Sequence, residues 1–278
     1  MIESQVSDFL LRKKRRAPAT YGQYQFVLEK VLMPWCRDTG VSDAVELDDT
    51  AMMRFTDCLS AREKPLSQST IQTYVRAVRI FLNWAKVPVG DFEPIHVPHR
   101  MRDTLSRAEV NRMEAAAKDE RDRLIVRVLA DTGIRVGELV GLRPKDLRAD
   151  SHAKQYFLRV IGKGNKEREV GLPHETYRRL RHFSLDDPEY IFNLGGQPMQ
   201  KHNVEYRVRL LAKRAQIGRR VFPHLFRHSW TTQQIRSGKA SLIDIQRALG
   251  HTTLAMVSTI YAHTTPADSY NALMSGLG

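Results

Sequence analysis

The sequence predicts a mainly α-helical protein with a small antiparallel β-sheet, divided into two domains. Three observations carry this expectation. Apolar residues recur at three- and four-residue steps over most of the chain. One glycine-rich turn, Gly162-Lys163-Gly164-Asn165, joins two short runs of strand character. Residues 87–103 hold three prolines and a glycine with no period, which marks a linker. At 278 residues, either side of that linker can bury its own core.

Residues 1–86 read as helices throughout. The first covers 2–14. A second follows Thr20, with Tyr24, Val27, Leu28, Val31, Leu32 and Trp35 in step, and ends near Asp38-Thr39-Gly40. A shorter one spans about 48–61 through Ala51, Met52, Phe55 and Leu59, and the last runs from Ser69 through Ile71, Tyr74, Val75, Val78, Phe81, Leu82 and Ala85. Four amphipathic helices of this length form a small bundle.

The second domain, 104–278, opens with Ser106 and Glu109 in capping-box spacing. A helix from Arg121 to Ala130 stops at Asp131-Thr132-Gly133. Tyr156–Ile161 and Lys166–Leu172 form the hairpin. Helices then follow near 174–183, 201–216, 223–237, 241–249, 253–262 and 266–275, with starts at Ser241 and at Thr265-Pro266. The terminal one, placed at 265–275, carries Tyr270, Ala272, Leu273 and Met274, a face with little domain left to cover.

Charge narrows the function. The net charge is +13; residues 1–103 carry 15 Lys/Arg against 13 Asp/Glu, whereas 104–278 carry 29 against 18. A polyanionic partner is expected, with nucleic acid ahead of an anionic membrane. The run Arg12-Lys13-Lys14-Arg15-Arg16 reads as a solvated helix end that touches phosphates rather than as a nuclear address. Cys36 and Cys58 form no CxxC pair and suggest reduced core residues. No stretch reaches the roughly 18 apolar residues of a membrane span, and the early basic run leaves too little apolar segment for a signal peptide. A cytoplasmic protein is expected, associated with the nucleoid if the partner is DNA.

Five islands carry the chemistry. Arg135, after a helix stop and at the opening of the next helix in DTGIRVGELVGL, suits an anion. Glu138, one turn on, either orients a neighbouring cation or satisfies the surface. Lys163 sits at the hairpin tip between glycines that allow close backbone approach. His224 and Arg227, three apart after Pro223, project from one face of a first turn, where one moves a proton and the other grips bidentately. His224 and His228 also have metal-ligand spacing, but Leu225 stands where an HExxH site needs Glu, so no metal is expected. His251 follows a helix-ending Gly250. Tyr261 is a nucleophile only if nearby cations stabilise its phenolate, since its ordinary pKa is about 10.

In this order the islands DTGIRVGELVGL, VIGKGNKEREV, HLFRH and LGH, with Ile260-Tyr261-Ala262-His263, resemble the tyrosine recombinase (phage integrase) family. The likeness covers the second domain. It extends more loosely to TYGQYQFVLEKVLMPWC and STIQTYVRAVRIFLNWA, which resemble that family's core-binding domain. The compact, Xer-like type is implied, with no arm-binding domain ahead of the bundle.

That resemblance implies a C-shaped clamp on duplex DNA. Tyr261 attacks the scissile phosphate to give a 3′-phosphotyrosyl intermediate. Arg135 and Arg227 hold the non-bridging oxygens. Lys163 protonates the leaving 5′-oxygen with help from His224, His251 supports the transition state, and Glu138 supports these residues from behind. Lys13, Lys14, Arg15, Arg16, Lys166 and Arg168 are the expected DNA contacts, and neither metal nor other cofactor is implied. The implied partners are a double-stranded recombination site and, on synapsed DNA, three further copies in a homotetramer. The free protein is expected to be a monomer, the terminal helix to dock on a neighbouring protomer, and an accessory or directionality factor is a further expected partner. Integration, excision and resolution stay open, as do a type IB topoisomerase, a telomere resolvase and a non-catalytic DNA-binding protein of the same fold. Two departures stand out. The step from His251 to Tyr261 is ten positions where the family commonly has nine, and inside a helix one extra residue turns a side chain by about 100°. Phe226 stands where leucine is commoner.

Overall fold

The computed structural model describes residues 1–88, 90, 103–150, 152–162, 164–185 and 189–250. Lys163, His251, Tyr261 and the helices expected at 253–262 and 265–275 lie outside the described residues, as does most of the expected linker. The chain separates into two compact units, Met1–Arg100 and Met101–Gly278. Among the described residues both are dominated by helix, with small antiparallel sheets found only in the second.

The first unit contains α1 (Ile2–Lys13), α2 (Pro18–Val27), α3 (Met33–Thr39), α4 (Asp49–Ser60) and α5 (Gln68–Trp84). The long helix expected from Thr20 begins earlier, with Ala17 as N-cap and Pro18 in the first turn, where a missing N–H is harmless. Between α2 and α3, Leu28–Leu32 form a π-helical turn, closed by the Met33 N–H on the Leu28 carbonyl. The next residue, Pro34, has no N–H for the α-helical ladder, and widening the turn just before it lets the chain stay helical. Gly40, at φ 77°, ends the segment in the left-handed region.

The core of this unit holds an aromatic cluster among aliphatic side chains. Phe9 is wholly buried and meets Tyr24, Phe81 and Trp84 edge-on, with centroids 5.6–5.7 Å apart. Val87 is buried in the same core, so its packing runs past residue 86. Cys36 is buried as expected, and burial pushes its thiol up to about 12, so it stays protonated. Cys58 is exposed, because α4 turns Met52, Phe55 and Leu59 inward and leaves position 58 facing out.

In the second unit α6 (Arg107–Ala115) opens with the expected capping box of Ser106 and Glu109. The central helix α7 (Glu120–Thr132) buries Leu124, Ile125, Val126, Val128 and Leu129, apolar on too many sides to face water. It is followed by the short α8 (Val136–Leu139), β1 (Leu147–Asp150), β2 (Gln155–Ile161), β3 (Glu167–Gly171) and α9 (His174–Phe183). Strands β1, β2 and β3 form one antiparallel sheet in that order, with Val160 opposite Arg168 and Ile161 opposite Glu167. The expected hairpin is present, with Lys166 in its turn rather than its strand; Gly164 and Asn165 supply positive φ. β1 and the two-residue pair β4 (Asn193–Leu194) and β5 (Gln197–Pro198) were not anticipated. Helices α10 (Lys201–Arg214), α11 (Pro223–Ser237) and α12 (Leu242–Leu249) complete the described chain, and α11 packs against α7 and α12.

Candidate active site

The turn after α7 is held rigidly. Gly133, at φ 61°, ends that helix; a side chain there would be strained and would press within 3.0 Å of the Trp230 ring of α11. The Trp230 indole N–H donates to the Asp131 carbonyl at 2.9 Å. Arg135 follows as the N-cap of α8. Its backbone N–H donates to Glu138 Oε2 at 2.8 Å and its Nη1 to Glu138 Oε1 at 3.0 Å.

Glu138 is buried, which removes its surface reading. Arg168, on β3, grips it with both terminal nitrogens, Nη1 to Oε1 at 2.9 Å and Nη2 to Oε2 at 2.8 Å. Burial pushes the Glu138 carboxyl up, but the hydrogen bonds from Arg168 and Arg135 outweigh it and hold the group below the usual range. Arg168 was expected on DNA. Its side chain is only 12% exposed and its Nε donates to the Ala248 carbonyl at 2.7 Å, so its donors are committed inside the protein.

Arg227 enters from near the start of α11 and is 3% exposed, whereas His224, three residues earlier in its first turn, is exposed. Both stand on one side of the helix at different depths. Arg227 Nη1 donates to the Gly133 carbonyl at 2.9 Å and Nη2 to the Leu249 carbonyl at 2.7 Å. Arg135 Nη1 reaches that same Leu249 oxygen at 3.3 Å. Burial, then repulsion from Arg135, pushes the Arg227 guanidinium down to about 10, where it is still charged at neutral pH. Arg135 and Arg168 thus share the Glu138 carboxylate with the Arg227 guanidinium nearby, leaving a local excess of positive charge.

The structure therefore brings together Arg135, Glu138 and Arg227, and adds the Ala248 and Leu249 carbonyls at the C-terminal end of α12, three and two positions before His251. The sequence held a signal for the network: Glu138 is a lone charge in the apolar run VGELVGL, and a carboxylate buried there needs cations. Among the described residues no three His, Cys, Asp or Glu side chains gather as a metal site, and no helix is long and apolar enough to cross a membrane. Of the expected DNA contacts, Lys14, Arg15, Arg16 and Lys166 are exposed, while Lys13 lies over the Phe9 ring, 5.1 Å from its centroid. A basic face missed in the sequence lies on α10, where His202, Tyr206, Arg209 and Lys213 are exposed at helical spacing and Arg209 stacks over Tyr206.

Residues 103–268 match the model of the phage integrase family. A tyrosine recombinase of Thermosipho africanus is 27% identical over 284 aligned residues, covering 96% of each chain. The XerA tyrosine recombinase of Saccharolobus solfataricus is 30% identical over 220 residues, covering 77% of this chain and 70% of that one. Among solved structures, the XerH site-specific recombinase bound to its difH substrate shares the fold with a TM-score of 0.72 at 20% identity, over 97% of this chain and 83% of that one.

Proposed function

The chain belongs to the phage integrase family, the tyrosine recombinases, and from that membership we propose that it cuts and rejoins DNA at a specific site through a 3′-phosphotyrosyl intermediate. The Tyr261 hydroxyl gives up its proton to solvent as its oxygen forms a bond to the scissile phosphorus and the bond to the 5′-oxygen breaks. The released oxygen takes a proton from Lys163, with His224 assisting the transfer. Rejoining runs the same steps backward with a 5′-hydroxyl as nucleophile. The phosphodiester energy is kept in the phosphotyrosine, so neither metal nor other cofactor is required.

One observation carries the reading. Arg135 and Arg227, from distant parts of the sequence, converge on the Leu249 carbonyl with a positive excess that a single carboxylate does not balance. Fixed cations of this kind stabilise charge developing on non-bridging oxygens without reorganising at the moment of reaction. His251 follows this carbonyl by two positions and supports the transition state. The partner is a double-stranded recombination site, in line with the XerH relative bound to difH. Lys14, Arg15, Arg16, Lys166 and the basic face of α10 supply contacts to it, mostly to phosphates. The active assembly is a homotetramer on two synapsed sites, built from monomers.

Covalent capture tests the proposal. Wild type and Tyr261→Phe are incubated in EDTA with nicked duplexes tiled from the DNA flanking the gene, then denatured in SDS. An adduct with the wild type alone is expected, and sequencing its DNA identifies the site. Sequence-specific binding without any adduct would overturn the catalytic reading.

A further inference from the structure

We propose that Arg168 is a positioning residue whose guanidinium sets the segments bearing Arg135, Lys163 and His251 in register with one another. The inference rests on the recombinase reading for its catalytic consequence, but its structural part stands alone. Toward α8, Arg168 holds both oxygens of Glu138, the same carboxylate that fixes Arg135 through backbone and side chain. Toward α12, its Nε holds the Ala248 carbonyl at 2.7 Å. Gly250, in the left-handed region at φ 63°, packs so closely that a methyl group there would lie 3.1–3.2 Å from Nη1, Cδ and Cζ of Arg168. Toward the hairpin turn, a methyl group on Gly162 would lie 3.5 Å from Arg168 Nη1 and 3.6 Å from Glu138 Oε1. Gly162 precedes Lys163 and Gly250 precedes His251. One guanidinium therefore bonds the carboxylate that holds Arg135, packs against Gly250 next to His251, and lies near Gly162 next to Lys163.

The chemistry explains why arginine stands there. The site needs a parallel pair of donors for a carboxylate and a third donor at the side for a carbonyl. A planar guanidinium supplies all three, and a lysine ammonium supplies charge without the fork. Arg168→Lys should therefore keep the charge balance and lose the register. Its main effect is expected on cleavage, because displacing catalytic groups by about 1 Å costs about 10²-fold in rate.

The first test needs no activity. In the free protein, amide hydrogen exchange of segments 162–166 and 248–251 should rise together in Arg168→Lys, with the exchange of α7 and the melting temperature near wild type. Exchange unchanged in both segments, or raised throughout the second unit, would overturn the proposal. The second test uses single-turnover cleavage at saturating protein. Arg168→Lys should bind duplex within about threefold of wild type and cleave about 10²-fold more slowly. A substrate with sulfur at the bridging 5′ position, whose leaving group needs no proton, should recover part of that loss because the lysine-bearing segment is one of those displaced. Gly250→Ala should show the same split from the other side of the contact, and combining it with Arg168→Lys should add little. Wild-type cleavage by Arg168→Lys, or losses that multiply in the double variant, would refute the catalytic part. If the wild type itself forms no adduct, the recombinase reading fails and the exchange experiment still decides the role of Arg168.

Discussion

Two buried clusters, one in each unit, are built from opposite materials although both units also have apolar cores. In the first, Phe9 is surrounded by Tyr24, Phe81 and Trp84, and its burial serves stability. In the second, Glu138 is surrounded by Arg135 and Arg168, with Arg227 alongside, and the arrangement leaves like charges close together. A cluster of that kind is a poor source of stability, because desolvation and repulsion offset much of the pairing. On the proposed recombinase reading, its value lies in holding cations in fixed geometry before a phosphate arrives. Substitutions in the aromatic centre should therefore be felt in folding, and substitutions in the arginine cluster in catalysis.

Phe9→Ala should give the largest effect on folding. Removing a fully buried phenyl costs about 3–5 kcal/mol, enough to unfold a small bundle or leave it marginal. Chemical denaturation should resolve an early transition of residues 1–100 while the second unit unfolds as in wild type. A single shared transition, shifted as a whole, would break the division between the two centres.

Arg227→Gln should do the reverse. Cleavage is expected to fall about 10²–10³-fold, the usual cost of losing one preorganised donor at a charge-developing oxygen. Stability should fall by no more than ~1 kcal/mol, since weaker bonds to the Gly133 and Leu249 carbonyls are offset by the loss of a buried cation facing Arg135. Single-turnover kinetics and thermal unfolding of one preparation check both halves. A loss of stability as large as that of Phe9→Ala would make Arg227 structural.

Acid should weaken the second unit more gently. Glu138 has a carboxyl held below its ordinary value, and Glu109, hydrogen-bonded by Arg219, is lowered to about 2 from 4.5. Groups whose folded pKa is depressed contribute stability that is complete above the unfolded pKa and is lost as pH falls through the folded one. The second unit should thus lose stability between pH 4.5 and about 2, and Glu109→Gln should flatten that dependence. Trp230 reports on this unit in a Trp35→Phe, Trp84→Phe background, because the chain has three tryptophans. An acid transition unchanged in Glu109→Gln would remove the Glu109–Arg219 pair as its cause.

Much of this was legible in the sequence where local period and turn chemistry decide structure. The apolar run of α7, the glycine turn before β3, and Pro223 placing His224 and Arg227 near the start of a helix all read correctly because each signal lies within a few residues. What escaped depends on partners far along the chain. LRAD has no strand period, and β1 exists because β2 pairs with it. Gly195-Gly196, both at positive φ, was a hairpin signal left unused. Arg168 in KEREV sits among charged, exposed neighbours and reads as solvent-facing; its partners, Glu138 and Ala248, are 30 and 80 residues away. The same distance dependence explains why Phe9 and Trp84, at opposite ends of the first unit, gave no sign of their contact.

The smallest expected effect makes the sharpest contrast, because it falls two positions from Arg168. Lys166 is exposed at the end of the hairpin turn, and its backbone carbonyl, not its side chain, accepts the Gly162 N–H at 2.8 Å. Lys166→Ala keeps that bond and removes one cation from the surface facing solvent. Duplex affinity should weaken slightly, and the slope of log affinity against log salt should become shallower by about one, the signature of one lost phosphate contact. Cleavage at saturating protein should be unchanged. Arg168→Lys should show the mirror image, an unchanged salt slope with slow cleavage, since its guanidinium faces Glu138 and α12 rather than solvent. Were Lys166→Ala to slow saturated cleavage while Arg168→Lys flattened the salt slope, the turn and not the buried guanidinium would govern placement of the hairpin, and the two residues would exchange roles.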